Sequence, residues 1–318
     1  MKKIYLLLAL ILLCGLPLLI ETHRGNSASG NQPRTPEPII LASFNLESPL
    51  PEVPFRMMVY KTVDPQISSE DIASLMNAFS LEGEIIDRER QFVVREGERV
   101  LEVFKEPGTG YIRFSNDAKL GIEEEAKNLP SEEEAVGIAE EFLRASGLLP
   151  ENSFFAGSGY YEFREYSSDG EVITQGKSGL ALGFGFLIED MEVKGPGAKA
   201  SVVFGEEGEI IGASKIWRDI EPDEEREIII PEEAFATFKQ RWPQEAEPEE
   251  LEWADIITEV VITEVYVTYY AEPGCLPQHY MEPVYVFRGN YQTSGVIGEQ
   301  DIGDSDYFEI IIPAIPET

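Results

Sequence analysis

Histidine and cysteine are nearly missing: the chain has two of each in 318 residues. A serine or cysteine nucleophile generally needs a histidine base, and the two histidines are His23, beside an apolar run, and His279, alone near the end. No Gly-x-Ser-x-Gly turn is present to expose a serine. Zinc needs three or four nitrogen and sulfur ligands, whereas Cys275-x-x-x-His279 supplies two. Cys14 lies inside the apolar run, so Cys275 has no disulfide partner within the rest of the chain, and stability must come from packing. The pair Gly183-Phe-Gly185 lacks the third glycine of a dinucleotide cradle and leads into strand-like sequence.

Positive charge is also scarce. Lys and Arg number 25 against 59 Asp and Glu, a formal charge of −34. Nucleic acid and anionic lipid surfaces are bound by neutralising phosphates with Lys and Arg clusters, so both are excluded as partners. The excess carboxylates fit a solvated, self-repelling surface outside a cell or in high salt, with divalent-cation binding as the alternative. The 43% hydrophobic content nevertheless supports packed cores, which a disordered acidic chain does not build.

What the chain does have is an unbroken apolar run from Ile4 to Ile20, behind Lys2 and Lys3 and closed by Glu21, Thr22, His23 and Arg24. A short basic start followed by such a run reads as a signal sequence or a slightly short membrane span. The lysines hold that end in the cytoplasm and place everything after Arg24 outside. Retention as an anchor, cleavage near Ser27-Ala28-Ser29 with release, and lipidation at Cys14 all stay open. The expected location is the cell membrane, single-pass, with the C-terminal part extracytoplasmic, or else secreted.

Residues 1–24 are thus a signal or anchor, and 25–47, with Pro33, Pro36 and Pro38 among Asn, Ser and Thr, read as a tether. The remaining ~270 residues exceed one ordinary core. Three amphipathic helices are expected. The first starts at Ser68 or Ser69 and carries Ile72, Leu75, Met76 and Phe79 on one face. The second opens with the capping box Ser131-x-x-Glu134 and stops near Gly147. The third has Pro231 in its first turn, places Ala234, Phe235, Phe238 and Trp242 together, and ends before Pro243. Strand-like segments joined by turns such as Asp169-Gly170 surround them. The predicted fold class is α+β: two or three modules, each an amphipathic helix packed on an antiparallel sheet, behind one N-terminal membrane segment. Module boundaries are expected at 48–127, 128–222 and 223–318.

The helix start Pro130-Ser-Glu-Glu-Glu-Ala135, the later Ala200–Phe204 and Gly208-Glu-Ile-Ile211 strands and the closing Trp217-Arg218 resemble the unit of PepSY-type domains. One anchor followed by several such units also resembles the YycH/YycI group of extracytoplasmic regulators. The likeness covers Ser131–Asp219 and, more loosely, Pro231–Gly289. It implies a non-catalytic regulatory role beside a membrane-bound sensor kinase and carries no functional residue onto a numbered position.

Two features point to binding. Tyr266, Tyr269, Tyr270, Tyr280, Tyr285, Phe287 and Tyr291 crowd the last third, as on a partner-binding face, although Tyr is also a favoured strand residue. Glu299, Asp301, Asp304 and Asp306 space oxygens in an expected loop that could hold calcium weakly, departing from the Asp-x-Asp-x-Asp-Gly pattern. The expected function is a membrane-tethered extracytoplasmic binding protein with an envelope or membrane protein partner, and no enzyme. The alternative is a hydrolase acting on envelope glycan through a carboxylate pair in a cleft.

Overall fold

A computed structural model of the chain describes residues 40–105, 109–122, 124–242, 254–297 and 300–316. The apolar run 4–20 lies outside them, and no helix of the described residues is long and apolar enough to cross a membrane.

The first half of the chain runs β1 (Ile40–Leu46), β2 (Arg56–Thr62), α1 (Ser69–Ala78), β3 (Glu84–Asp87), β4 (Gln91–Glu96), β5 (Arg99–Phe104), β6 (Tyr111–Asn116), α2 (Glu132–Ala145) and β7 (Ser153–Tyr166). It continues with β8 (Val172–Ile188), β9 (Met191–Glu192), β10 (Lys199–Phe204), β11 (Ile210–Ile216), β12 (Ile220–Glu227) and α3 (Pro231–Arg241). It ends with β13 (Ala254–Tyr269), β14 (Tyr280–Met281), β15 (Pro283–Ile297) and β16 (Gln300–Pro313).

The expectation of separate helix-on-sheet modules is overturned. Among the described residues sixteen strands outweigh three α-helices, and most strands belong to large sheets. A nine-stranded sheet has the order β3-β4-β5-β6-β11-β10-β8-β7, with β9 on β8. Its centre is the antiparallel pairing of β6 with β11, where Ile112 faces Lys215 and Phe114 faces Ala213. That pairing crosses the boundary expected at 127/128 and makes one sheet of two supposed modules. Local sequence marks a strand but not its neighbour, and strands distant in the chain often pair. Residues 40–46, expected within the tether, are strand as well.

By its internal contacts the chain divides into two units. The first comprises Tyr60–Asp223 and Tyr269–Met281. Here α1 and α2 lie on one face of the nine-stranded sheet. Phe79, which caps the C-terminal end of α1, stacks on Phe114 at 4.3 Å between ring centroids and meets Phe142 of α2 edge-on at 5.4 Å. Both helices start as their polar residues dictate: Ser68 with Asp71, and Ser131 with Glu134, form reciprocal capping boxes. The β7 edge carries three register shifts, a device that discourages further strands from pairing with it. Arg218, 1% exposed, donates to the backbone carbonyls of Glu272 (2.9 Å), Pro273 (2.8 Å) and Leu276 (2.6 Å). Burial lowers its pKa to about 10, so the guanidinium keeps its charge at neutral pH and staples the 272–276 loop.

The second unit is built from described parts of 40–59, 224–268 and 282–316. Its sheet has the order β1-β13-β15-β16, with β1 parallel to β13 and β15 antiparallel to β16. Phe238 of α3, fully buried, stacks on Phe287 at 4.8 Å and on Phe308 at 5.8 Å and meets Phe44 edge-on at 5.8 Å. Trp242 closes the cluster over Phe308 at 4.8 Å. Offset and edge-on ring pairs add to the stabilisation that burial gives. Phe238→Ala is therefore expected to destabilise this unit by about 3–5 kcal/mol, read as a lower urea midpoint.

The capping boxes give a pH dependence. Bonds from the Ser68 hydroxyl and amide hold the Asp71 carboxyl below its ordinary range, and Ser131 does the same to Glu134. A carboxyl with a depressed folded pKa adds stability that is whole above about pH 4 and is lost as pH falls through the folded value. Ser68→Ala should cost about 1 kcal/mol at pH 7. The difference from wild type should narrow at pH 3, measured by urea denaturation at both values.

Candidate functional site

In the first unit, the ends of β6 and β11 and the helices above them enclose a groove of about 310 Å³. Along β11 the residues Ile211, Ala213, Lys215 and Trp217 share one face by strand alternation, and all but Lys215 are buried. In the sheet Lys215 is flanked by Ile112 on β6 and Ala200 on β10. A half-buried lysine thus stands in an otherwise apolar row. Leu75 of α1, Leu148 just after α2 and Trp217 give the groove an apolar floor. Trp217 is fixed by its N–H to the Gly110 carbonyl at 3.0 Å. The 63–67 segment forms one wall, tied down where the Val63 N–H donates to the Asp219 carbonyl at 2.8 Å.

The charges around the groove are few. Among the described residues no carboxylate comes within ion-pair distance of Lys215. The Asp71 carboxylate is already occupied by the Ser68 N–H at 2.8 Å and hydroxyl at 2.6 Å. Asp219 sits exposed on the rim. Ser146 is bonded back to the Phe142 carbonyl at 2.8 Å. The lining contains neither histidine nor cysteine. Beside its apolar floor the lining thus carries one ammonium, Lys215, and two carboxylates, Asp71 and Asp219.

Three of the aromatic residues singled out from sequence, Tyr269, Tyr285 and Phe287, are fully buried. Tyr266 and Arg288 of the second unit make a cation–ring contact at 5.3 Å. Tyr285 is fully buried there, its hydroxyl donating to the Ile229 carbonyl at 2.6 Å and its pKa pushed up to about 12 by burial. Phe287 is the ring beneath Phe238. In the first unit Tyr269 is fully buried, edge-on to Tyr60 at 5.4 Å. Tyr60 donates to the Glu189 carboxylate at 2.6 Å, and burial followed by this bond raises its pKa. Tyr270 is half-buried beside Lys194, and Tyr280 is exposed. Tyr269, Tyr285 and Phe287 are core residues; β-propensity, the competing reading of this cluster, accounts for them.

The segment expected as a calcium loop is strand from Gln300 onward, while Glu299 lies outside the described residues. Among the described residues no three His, Cys, Asp or Glu side chains gather as metal ligands do. His279 contributes a backbone carbonyl to the Thr62 N–H at 3.0 Å. Lys215 was the residue missed: a lysine falling on the apolar parity of Ile211-x-Ala213-x-Lys215-x-Trp217 is a legible departure from alternation.

No protein-family model and no curated protein matches the chain. A solved structure of an uncharacterized protein from Eubacterium rectale ATCC 33656 is similar at 12% identity and a TM-score of 0.46. The likeness covers 87% of this chain and 88% of that one. Nothing is transferred from it.

Gly110 is required by the groove's geometry, because a Cβ there would run into the Trp217 carbonyl. Gly110→Ala should push the ends of β6 and β11 apart and cost about 1–3 kcal/mol, with a shift in the tryptophan emission maximum.

Proposed function

We propose that this chain is a non-catalytic binding protein held at the outer face of a membrane through residues 4–20, where it engages an envelope or membrane protein. The observation that carries the reading is the groove: an apolar floor and a single lysine, Lys215, with no carboxylate within ion-pair distance among the described residues. The N-terminal run supports the address. The strongly acidic surface favours protein partners over nucleic acid.

Fractionation with protease accessibility, followed by affinity capture from native membranes, tests the proposal. The chain should be found outside, membrane-bound or released. One envelope protein should be recovered with wild type and lost with Lys215→Glu. Finding the chain in the cytosol would overturn it, as would turnover of envelope glycan by the purified protein.

A further inference from the structure

The edge of a sheet presents unpaired N–H and C=O groups, and proteins ordinarily guard it with charge, proline, register shifts or shortness. Among the described residues every sheet edge but one is guarded in this way. β7 carries three register shifts, β3 is four residues long from Glu84 to Asp87, and β12 holds Pro222 within an acidic run. β14 spans two residues, while β16 exposes Asp306 and Glu309 and ends on Pro313. β1 has none of these: its seven residues, Ile40–Leu46, include no charge, proline or glycine, and its register does not shift. The groups it leaves unpaired can be named. The Glu47 N–H donates to the Ile262 carbonyl at 2.9 Å, so alternation turns the N–H and C=O of Ser43 and Asn45 toward β13 and those of Ala42, Phe44 and Leu46 outward. No further described strand takes them up. The side chains of Ala42, Phe44 and Leu46 share the face on which Phe44 meets Phe238 and Trp242, and all three are only half-buried. An apolar row is thus incompletely covered at the same edge where its backbone is unpaired.

We propose that a second copy of this chain covers that edge, with β1 pairing antiparallel to its own counterpart about a twofold axis at Ser43. In this register Phe44 lies opposite the partner subunit's Ala42 and exchanges both ladder bonds with it, and the two Ser43 residues face each other as a non-hydrogen-bonded pair. Setting outward-turned residues against one another keeps the apolar side chains of both strands on one face, where each row completes the cover of the other. Charge favours this place of contact. A chain of net charge −34 repels its copy, and an uncharged strand is where the approach costs least. The assembly closes at two, since the outer edges of the joined sheet are then the guarded β16 strands. On the reading of residues 4–20 as an anchor, residues 21–39 reach at most about 65 Å. Copies in one membrane would confine their β1 strands to a layer of that depth, which raises their effective concentration. The pairing itself needs no anchor.

Sedimentation of the full chain in mild detergent should show an equilibrium of monomer and dimer that tightens as salt is raised, because screening weakens the repulsion of like-charged bodies. Ser43→Lys and Ser43→Glu should each weaken the dimer at least about tenfold by setting like charges opposite each other, and an equimolar mixture of the two should restore it. Ala42→Pro removes one outward N–H and leaves the β13 ladder intact, so it should weaken the dimer as much while keeping the wild-type urea midpoint. A wild-type chain that stays monomeric at high concentration and high salt would overturn the proposal. Dimers indifferent to all three substitutions would overturn the use of this edge, and loss in both charged variants without rescue on mixing would overturn the register. Recovery of a different protein from membranes by wild type but not by Ala42→Pro, with the purified chain monomeric, would overturn the second copy in favour of a partner's strand. A chain found in the cytosol that still dimerises through Ser43 would overturn the membrane address and sustain the pairing.

Discussion

The pairing of β6 with β11 is the contact on which the first unit depends. It joins the β3–β6 meander to the strands that follow α2, and both helices rest on the sheet so formed. The same register sets Ile112 beside Lys215 and anchors Trp217 on Gly110. Fold and groove therefore share one cause. A slip of one residue would turn Lys215 to the opposite face and bring Ser214 and Ile216 into its place.

Charge and packing are managed differently in the two units. The first buries Arg218 by giving its guanidinium three backbone carbonyls, so the cation serves as a cross-brace for a loop. The second relies on aromatic contact among Phe44, Phe238, Phe287, Phe308 and Trp242. On its sheet, Arg288 bridges Glu264 at 3.2 Å and Glu309 at 2.7 Å, an exposed arrangement whose strength salt would reduce. Neither unit has a disulfide among its described residues, and Cys275 is a free thiol.

Much of the local structure was legible. Ser68, Ser131 with Glu134, and Pro231 mark the helix starts because a capping side chain or a proline acts on the backbone beside it. Asp169-Gly170 marks a turn because Gly170 adopts a positive φ of 89°. What could not be read was which strand lies beside which. Nothing in Phe114 names Ala213 as its neighbour, and nothing in Ile40–Leu46 announces a parallel partner more than two hundred residues on. The groove was hidden for the same reason, being assembled from α1, the turn after α2, β6 and β11 at once. Of its parts only Lys215 left a trace, as a charge on an apolar parity. In the Tyr-rich stretch a strand interior and a contact surface favour the same residue type, and Tyr269, Tyr285 and Phe287 fall in the interior.

The parallel strand β1 has a mechanical consequence. It is the first described element of the chain, seven residues long, and it is hydrogen-bonded to β13 along its whole length, from Ile40 opposite Ile256 to Leu46 opposite Ile262. The bonds of a parallel pair are evenly spaced. Tension entering ahead of Ile40 and directed along the strand would load that row together in shear rather than unzip it bond by bond. A pull from the N-terminal side would thus be met by the whole row at once.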